Sequence, residues 1–192
     1  MPNWTQDAVG RAMVAVPRAG FLPPELREHA DLDRPLPIGL GQTNSQPTTV
    51  AIMLRLLETR PGQRILDVGA GSGWTTALLA ELVGQQGRVI GVERHARLIE
   101  PARIAVARHA GGRAEIRLAT PGVLGAPEDG PFNRILVSAE ATRLPSALVD
   151  QLDDGGVMVI PVNQTMLRVT RHGTEITVTR HGAFVFVPLV EE

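Results

Sequence analysis

From residue 62 onward, short apolar runs alternate with longer stretches whose apolar positions recur every three or four residues. The runs at 64–68, 88–92, 114–118, 133–137 and 156–161 are candidate strands. The stretches between them, 74–83, 95–109 and 145–152, carry helical spacing. This alternation predicts a doubly wound, mostly parallel α/β sheet of the Rossmann-like kind. Pro101 falls inside the second helix and predicts a kink or a restart there. Residues 166–171, 174–179 and 183–188 read as β-rich, with His172-Gly173 as a turn, so an antiparallel C-terminal edge is expected.

Upstream the pattern differs. Trp4, Ala8, Val9, Ala12, Met13 and Val16 mark a short amphipathic helix over 4–16, ended by Pro17. Residues 18–44 are rich in Pro and Gly and show little period; they predict an irregular lobe over the sheet, and long loops of that kind tend to be functional. Pro47 opens a helix whose buried face is Val50, Met53, Leu54 and Leu57, and Arg60-Pro61-Gly62 stops it.

The 192 residues suit one domain, divided into a covering lobe (1–45) and a core (46–192). A net charge of −1 gives no electrostatic reason to expect nucleic acid or a membrane surface. No apolar run approaches the ~20 residues of a membrane helix, and the first ten residues do not read as a secretory leader. The expected compartment is the cytoplasm, with a monomer as the default. Cysteine is absent, which excludes disulfides, thiolate nucleophiles and Cys-ligated metals. All 19 basic residues are arginine, a usage best explained by codon bias, and the lack of lysine excludes Schiff-base chemistry. His29, His95, His109, His172 and His181 have no ligand spacing, and Asp153-Asp154-Gly155-Gly156 reads as a turn before the fifth strand, so no metal is assigned.

The densest chemical signal is Ile-Leu-Asp-Val-Gly-Ala-Gly-Ser-Gly at 65–73, a strand that stops at glycines and feeds a helix. Such a loop lets backbone approach a nucleotide-like ligand closely. Gly69, Gly71 and Gly73 fall as G-x-G-x-G, without the third glycine of the dinucleotide spacing. Asp67 at the strand end would repel a pyrophosphate but suits a positively charged ligand, such as the amino-acid end of S-adenosyl-L-methionine. Glu93, 20 residues beyond Gly73 and closing the next strand, is placed to accept hydrogen bonds from ribose hydroxyls.

Residues 64–73 with 88–94 resemble class I S-adenosylmethionine-dependent methyltransferases. PLPIGLGQTNSQP (35–47), VPRAGFLPPEL (16–26), LPSALVDQLDDGGVMVIPV (144–162), LRVTR (167–171) and FVFVPL (184–189) together resemble the protein-L-isoaspartate O-methyltransferase family, in its order and over nearly the whole chain. The resemblance implies a seven-stranded class I methyltransferase fold with a family-specific order of the last two strands. It implies methylation of the free carboxylate of L-isoaspartyl residues in damaged proteins, with S-adenosyl-L-homocysteine as product and an ester that collapses to a succinimide. It places Thr43, Asn44, Ser45 and Gln46 at the junction of cofactor and substrate, with Ser45 as the active-site serine. Val16, Pro17, Ile38 and Gln42 would help to bind the peptide, and Thr120 and Pro121 would face the adenine.

A free carboxylate, with a pKa of about 4, is already nucleophilic at neutral pH, so the reaction requires positioning and desolvation rather than a base. A hydroxyl such as that of Ser45 can orient the attacking group, although Ser45 also suits a helix N-cap. The chain departs from the family in several places. Pro121 stands where an Asp usually contacts the adenine amino group. Asn133 replaces a common acidic residue, Leu40 a common histidine, and part of the first helical segment is expected to be missing. Two alternatives stay open: a relative with another carboxylate acceptor, for example a biosynthetic peptide, and a weak or silent member that keeps the fold.

Overall fold

The computed structural model describes residues 6–190; Trp4 lies outside the described residues. Helix α1 (Ala8–Ala15) starts at Asp7, whose carboxylate accepts a hydrogen bond from the Gly10 amide, and it ends just before Pro17. The stretch expected to be irregular has order of its own. It holds two 3-10 turns (Arg18–Phe21 and Pro24–His29) and an antiparallel hairpin, β1 (Leu36–Gly39) with β2 (Gln42–Asn44). Helix α2 (Pro47–Leu57) opens on its proline and buries Val50, Met53, Leu54 and Leu57 as the periodicity predicts.

The main sheet is built from β3 (Arg64–Val68), β4 (Arg88–Glu93), β5 (Ala114–Leu118), β6 (Phe132–Val137), β7 (Leu152–Val162), β8 (Thr165–His172) and β9 (Glu175–Ala183). Their order is β5-β4-β3-β6-β7-β8-β9. The first five positions are parallel, and β8 and β9 are antiparallel. The last two strands lie in plain chain order, with β9 outermost. Helices α3 (Trp74–Val83), α4 (Ala96–Ala110) and α5 (Ser146–Val149) connect the parallel strands.

The pleat divides the core in two. Ile65, Val89, Ile116, Leu136 and Val159 join the cluster that includes the buried faces of α1 to α4. Leu66, Ile90, Ile135, Met158 and Ile160 point the other way, against Phe132, Leu148 and Val149. The chain crosses from one side of β3 to the other between β5 and β6. That reversal opens a crevice at the carboxyl ends of the strands, where ligands of open α/β sheets bind.

Four expectations are corrected. Helix α4 runs through Pro101 without a restart; the ring deprives only the Arg97 carbonyl of its partner, and both residues lie on the exposed side. The helix expected over 145–152 is confined to Ser146–Val149, because β7 already begins at Leu152. Asp153 to Gly156 form a bulge within β7 rather than a turn before it: Phe132 pairs with Leu152 and Arg134 with Val157, five residues of advance against two. Asp153 accepts from the Asn133 side chain and Asp154 from the Gly173 amide. Of residues 183–188 only Ala183 lies in a strand, as the last residue of β9; the rest form none beyond an isolated bridge from Pro188 to Glu140.

Candidate active site

The crevice holds a cavity of ≈ 260 Å³, just below the ~300–1,000 Å³ typical of ligand sites. Its floor comes from strand ends: Val68 and Gly69 after β3, Val92 to Arg94 at β4, Ala119 to Pro121 after β5, and Ser138 and Ala139 after β6. Gln42, Thr43, Asn44 and Ser45 form one wall, Val123 to Gly125 another, and Val187 to Val190 a third.

The glycine loop is shaped by backbone angles that side chains rarely adopt. Gly69, Gly71 and Gly73 have φ of +79°, +54° and +88°. At Gly73 a Cβ would also lie 2.6 Å from Val106 Cγ2 and 3.3 Å from the Ala102 carbonyl oxygen, so this glycine lets α3 start against α4. Ala77 N–H bonds back to the Gly73 carbonyl, closing the first turn of α3.

Glu93 lines the cavity and is 5% exposed. Its Oε2 accepts from the Gly71 amide at 2.9 Å and its Oε1 from the His95 amide at 2.8 Å. One carboxylate thus ties the second strand end to the glycine loop, and each oxygen keeps a further lone pair for a ligand.

Asp67 is placed differently from expectation. It is fully buried and lies behind the loop, outside the cavity lining. Its Oδ2 accepts from the Thr75 and Thr76 hydroxyls, both at 2.7 Å, and its Oδ1 has no partner. Burial pushes its pKa up to about 6 against those two hydrogen bonds, and the charge of Glu93 adds to the rise. Asp67 therefore anchors the first turn of α3 rather than meeting a ligand.

Of the other expected residues, Gln42, Thr43, Asn44, Ser45, Thr120 and Pro121 line the cavity, and Gly73, which serves the packing of α3 on α4, Gln46, Val16, Pro17 and Ile38 do not. Gln46 takes the N-cap position of α2, which Ser45 was also suited to, and its amide donates to Asp33. Burial pushes Asp33 up, but hydrogen bonds from Thr48 and Gln46 and the field of Arg18 outweigh it and hold the carboxyl below its usual range. Val16 sits behind Trp74, whose indole N–H donates to its carbonyl at 3.0 Å. Pro17 is exposed beside it, and Ile38 packs against the back of Gly71.

Sequence reasoning missed Ser72, Trp74, Arg94, Leu124, Gly125, Ser138 and the 187–190 segment, all of which line the cavity. Ser138 and Ala139 were findable, since residues just past the carboxyl end of a parallel strand face the crevice. Residues 124 and 125 are held by Gln151, whose Oε1 accepts from Ala126 N–H and whose Nε2 donates to the Leu124 carbonyl. The 187–190 segment is fixed by Glu140, whose N–H bonds to the Val187 carbonyl and whose carbonyl accepts from Leu189 N–H. No local pattern announces that contact.

Residues 3–192 match the family profile described as Protein-L-isoaspartate(D-aspartate) O-methyltransferase. The chain is 46% identical over 192 residues to the protein-L-isoaspartate O-methyltransferase of Methanopyrus kandleri, covering 97% of this chain and 84% of that one. It is 46% identical over 191 residues to the enzyme of the same name from Methanothrix thermoacetophila, covering 98% and 90%. A Plasmodium falciparum structure described as a protein-L-isoaspartate O-methyltransferase in complex with S-adenosyl-L-homocysteine superposes with a TM-score of 0.85. That match has 28% identity and covers 97% of this chain and 92% of that one.

Proposed function

The chain belongs to the protein-L-isoaspartate(D-aspartate) O-methyltransferase family, and from that premise we infer how its own residues serve the reaction. The protein is an S-adenosyl-L-methionine-dependent carboxyl methyltransferase that acts on L-isoaspartyl residues of damaged proteins or peptides. The observation that carries the assignment of roles is the meeting of two unlike walls on one cavity. The glycine loop with Glu93 faces the strap 42–45, which belongs to the lobe.

The cavity fits the methyl donor. Gly69 and Gly71 bring bare backbone to the cavity wall, and Glu93 presents a buried carboxylate to a neutral polyol such as ribose. When bound, S-adenosyl-L-methionine supplies a methyl group activated by a sulfonium, which a carboxylate accepts without a general base. Thr120, Pro121 and the apolar Val123 and Leu124 are the residues available to the nucleobase. Pro121 brings neither a side-chain acceptor nor an N–H, so shape and apolar contact replace a polar contact at that point. Ser45, half-buried on the opposite wall, orients the attacking carboxylate. The described part of the lobe, 6–45, and the 187–190 segment exclude water from the reacting groups. We infer that the enzyme works in the cytoplasm as a monomer.

The test is to incubate the protein with methyl-labelled S-adenosyl-L-methionine and either an L-isoaspartyl peptide or its aspartyl isomer. Base-labile label on the isoaspartyl peptide alone is expected. Binding of S-adenosyl-L-homocysteine without transfer would point to another carboxylate acceptor or to a weak or silent member. Ser45→Ala is expected to lower kcat about tenfold or more while leaving S-adenosyl-L-homocysteine affinity within about twofold. An unchanged kcat would remove Ser45 from the mechanism.

A further inference from the structure

Arg18 is a charged side chain almost wholly withdrawn from water, 5% exposed. Burying a cation is costly unless its hydrogen bonds are met. Here they are met by one side-chain amide oxygen and a set of backbone carbonyls. Its Nε donates to Asn44 Oδ1 at 2.7 Å. Its Nη1 donates to the Leu32 carbonyl at 3.0 Å, and its Nη2 reaches the carbonyls of Arg34, Asn44 and Ser45 at 2.9, 2.9 and 3.0 Å. The guanidinium carbon lies 5.6 Å from the centroid of the Trp74 ring. Asp33 contributes a favourable field, but its oxygens are occupied by Thr48 and Gln46.

These acceptors come from two separate runs of chain, 32–34 and 44–45, gathered on one planar fork. The second run is the cavity wall that carries Ser45. Asn44 passes the link onward: its Nδ2 donates to Ser72 Oγ at 3.0 Å, inside the glycine loop. A continuous chain of contacts, Arg18 to Asn44 to Ser72, therefore joins the two walls, and Arg18 also holds the backbone of the residue expected to orient the substrate.

We propose that Arg18 is a positioning residue for methyl transfer: it fixes the 44–45 segment against the glycine loop, and so sets where Ser45 stands relative to the bound donor. The proposal rests on the functional reading above. Lysine keeps the charge but lacks the planar fork, so it cannot hold both runs at once. Displacing a positioned group by about 1 Å can cost on the order of 100-fold in rate.

The experiment is a double-mutant cycle of Arg18→Lys and Ser45→Ala, read by kcat and KM for the isoaspartyl peptide and by calorimetric affinity for S-adenosyl-L-homocysteine. Arg18→Lys is expected to lower kcat roughly 10- to 100-fold, with affinity for the product nucleoside changed less than about fivefold. Because Arg18 acts through Ser45, the double variant is expected within about threefold of Ser45→Ala alone. Losses that multiply in the double variant overturn the proposal, as does an Arg18→Lys enzyme with wild-type kcat. If Arg18→Lys shows no cooperative unfolding transition, Ser72→Ala breaks the same chain at its accessible end. A loss of kcat supports the proposal there, and a loss confined to affinity, or none, overturns it. If the wild-type chain binds no S-adenosyl-L-homocysteine, the functional reading itself fails, and this proposal with it.

Discussion

Three glycines separate the two ways in which a Cβ can harm this fold. At Gly62, φ is +79° and nothing lies within 4 Å of a built Cβ, so Gly62→Ala meets only the backbone penalty. That penalty is about 1–2 kcal/mol. At Gly91, in β4, a Cβ would lie 2.7 Å from both Ile116 Cδ1 and Thr76 Oγ1, and the backbone needs no positive φ. Gly91→Ala therefore meets overpacking alone, about 1–3 kcal/mol, offset in part by roughly 0.4–1 kcal/mol of unfolded-chain entropy. Gly73→Ala meets both: φ is +88°, with Val106 Cγ2 at 2.6 Å and the Ala102 carbonyl oxygen, which backbone holds in place, at 3.3 Å. The sum is about 2–5 kcal/mol, a large share of the ~5–15 kcal/mol of a typical domain. Urea unfolding of the three variants measures this as shifts in midpoint at constant m. Val106→Ala is expected to cost about 1–2 kcal/mol less in the Gly73→Ala background than in the wild type, because it removes the clashing methyl. Equal losses for Gly73→Ala and Gly62→Ala, or an additive cycle with Val106, would refute the reasoning. The functional corollary is that Gly73→Ala weakens S-adenosyl-L-homocysteine binding while Gly62→Ala leaves it unchanged.

Asp67 sets a pH dependence of stability. Its folded pKa, about 6, exceeds the ~3.9 of an unfolded chain, a difference worth about 3 kcal/mol. The folded state therefore binds the proton more tightly; the Asp67 contribution is full below about pH 4, falls as pH rises to about 6, and is flat beyond. Urea unfolding free energies between pH 4 and 7 should show that fall in the wild type and not in Asp67→Asn; parallel profiles would refute it. Glu93→Gln places an amide N–H against a backbone N–H at the glycine loop or at His95. S-adenosyl-L-homocysteine affinity should drop about 10- to 100-fold, the worth of a hydrogen bond to a charged group. A calorimetric change under twofold would refute it. Gln151→Leu strands the Ala126 N–H and the Leu124 and Ala147 carbonyls. A loss of about 2–4 kcal/mol in unfolding free energy is expected, together with weaker nucleoside binding as the 124–125 wall loosens.

The parallel core was legible because each of its elements ends in a local signal. Glycines and Arg60-Pro61-Gly62 bracket β3 and α3, and both elements occupy the expected residues. The β1–β2 hairpin was not legible, since β1 spans only two repeats of the strand period and carries Pro37 and Gly39, and β2 is three residues of polar side chains. Residues 183–188 show why alternation can mislead. Phe184 and Phe186 pack on the core while Val185 is 84% exposed, so the two-residue period is real. It records burial on one side, and beyond Ala183 there is no neighbouring strand to complete a ladder. Asp67 teaches a related lesson. The pleat that sends Ile65 toward α3 also sends Asp67 there, so its distance from the cavity could have been read from alternation, whereas strand-end position alone suggested contact. Asn133, a departure from the family, accepts from Arg64 N–H and donates to Asp153, a dual role that a carboxylate cannot fill. The strap 42–45 was found by resemblance; apart from the Asn44 side chain, its attachment through Arg18 rests on backbone carbonyls, which carry no residue identity and leave no mark in a sequence.

The wall formed by Val187 to Val190 has a bearing on how the crevice breathes. It belongs to no strand of the main sheet and is tied to Glu140 by two backbone hydrogen bonds, at 2.8 and 2.7 Å. Segments held by few hydrogen bonds and little buried surface open at a lower free energy than the strands of a core. The Leu189 amide is therefore expected to exchange with deuterium sooner than the amides of β6 and β7, so one side of the donor crevice opens on its own while the sheet that carries the glycine loop stays closed.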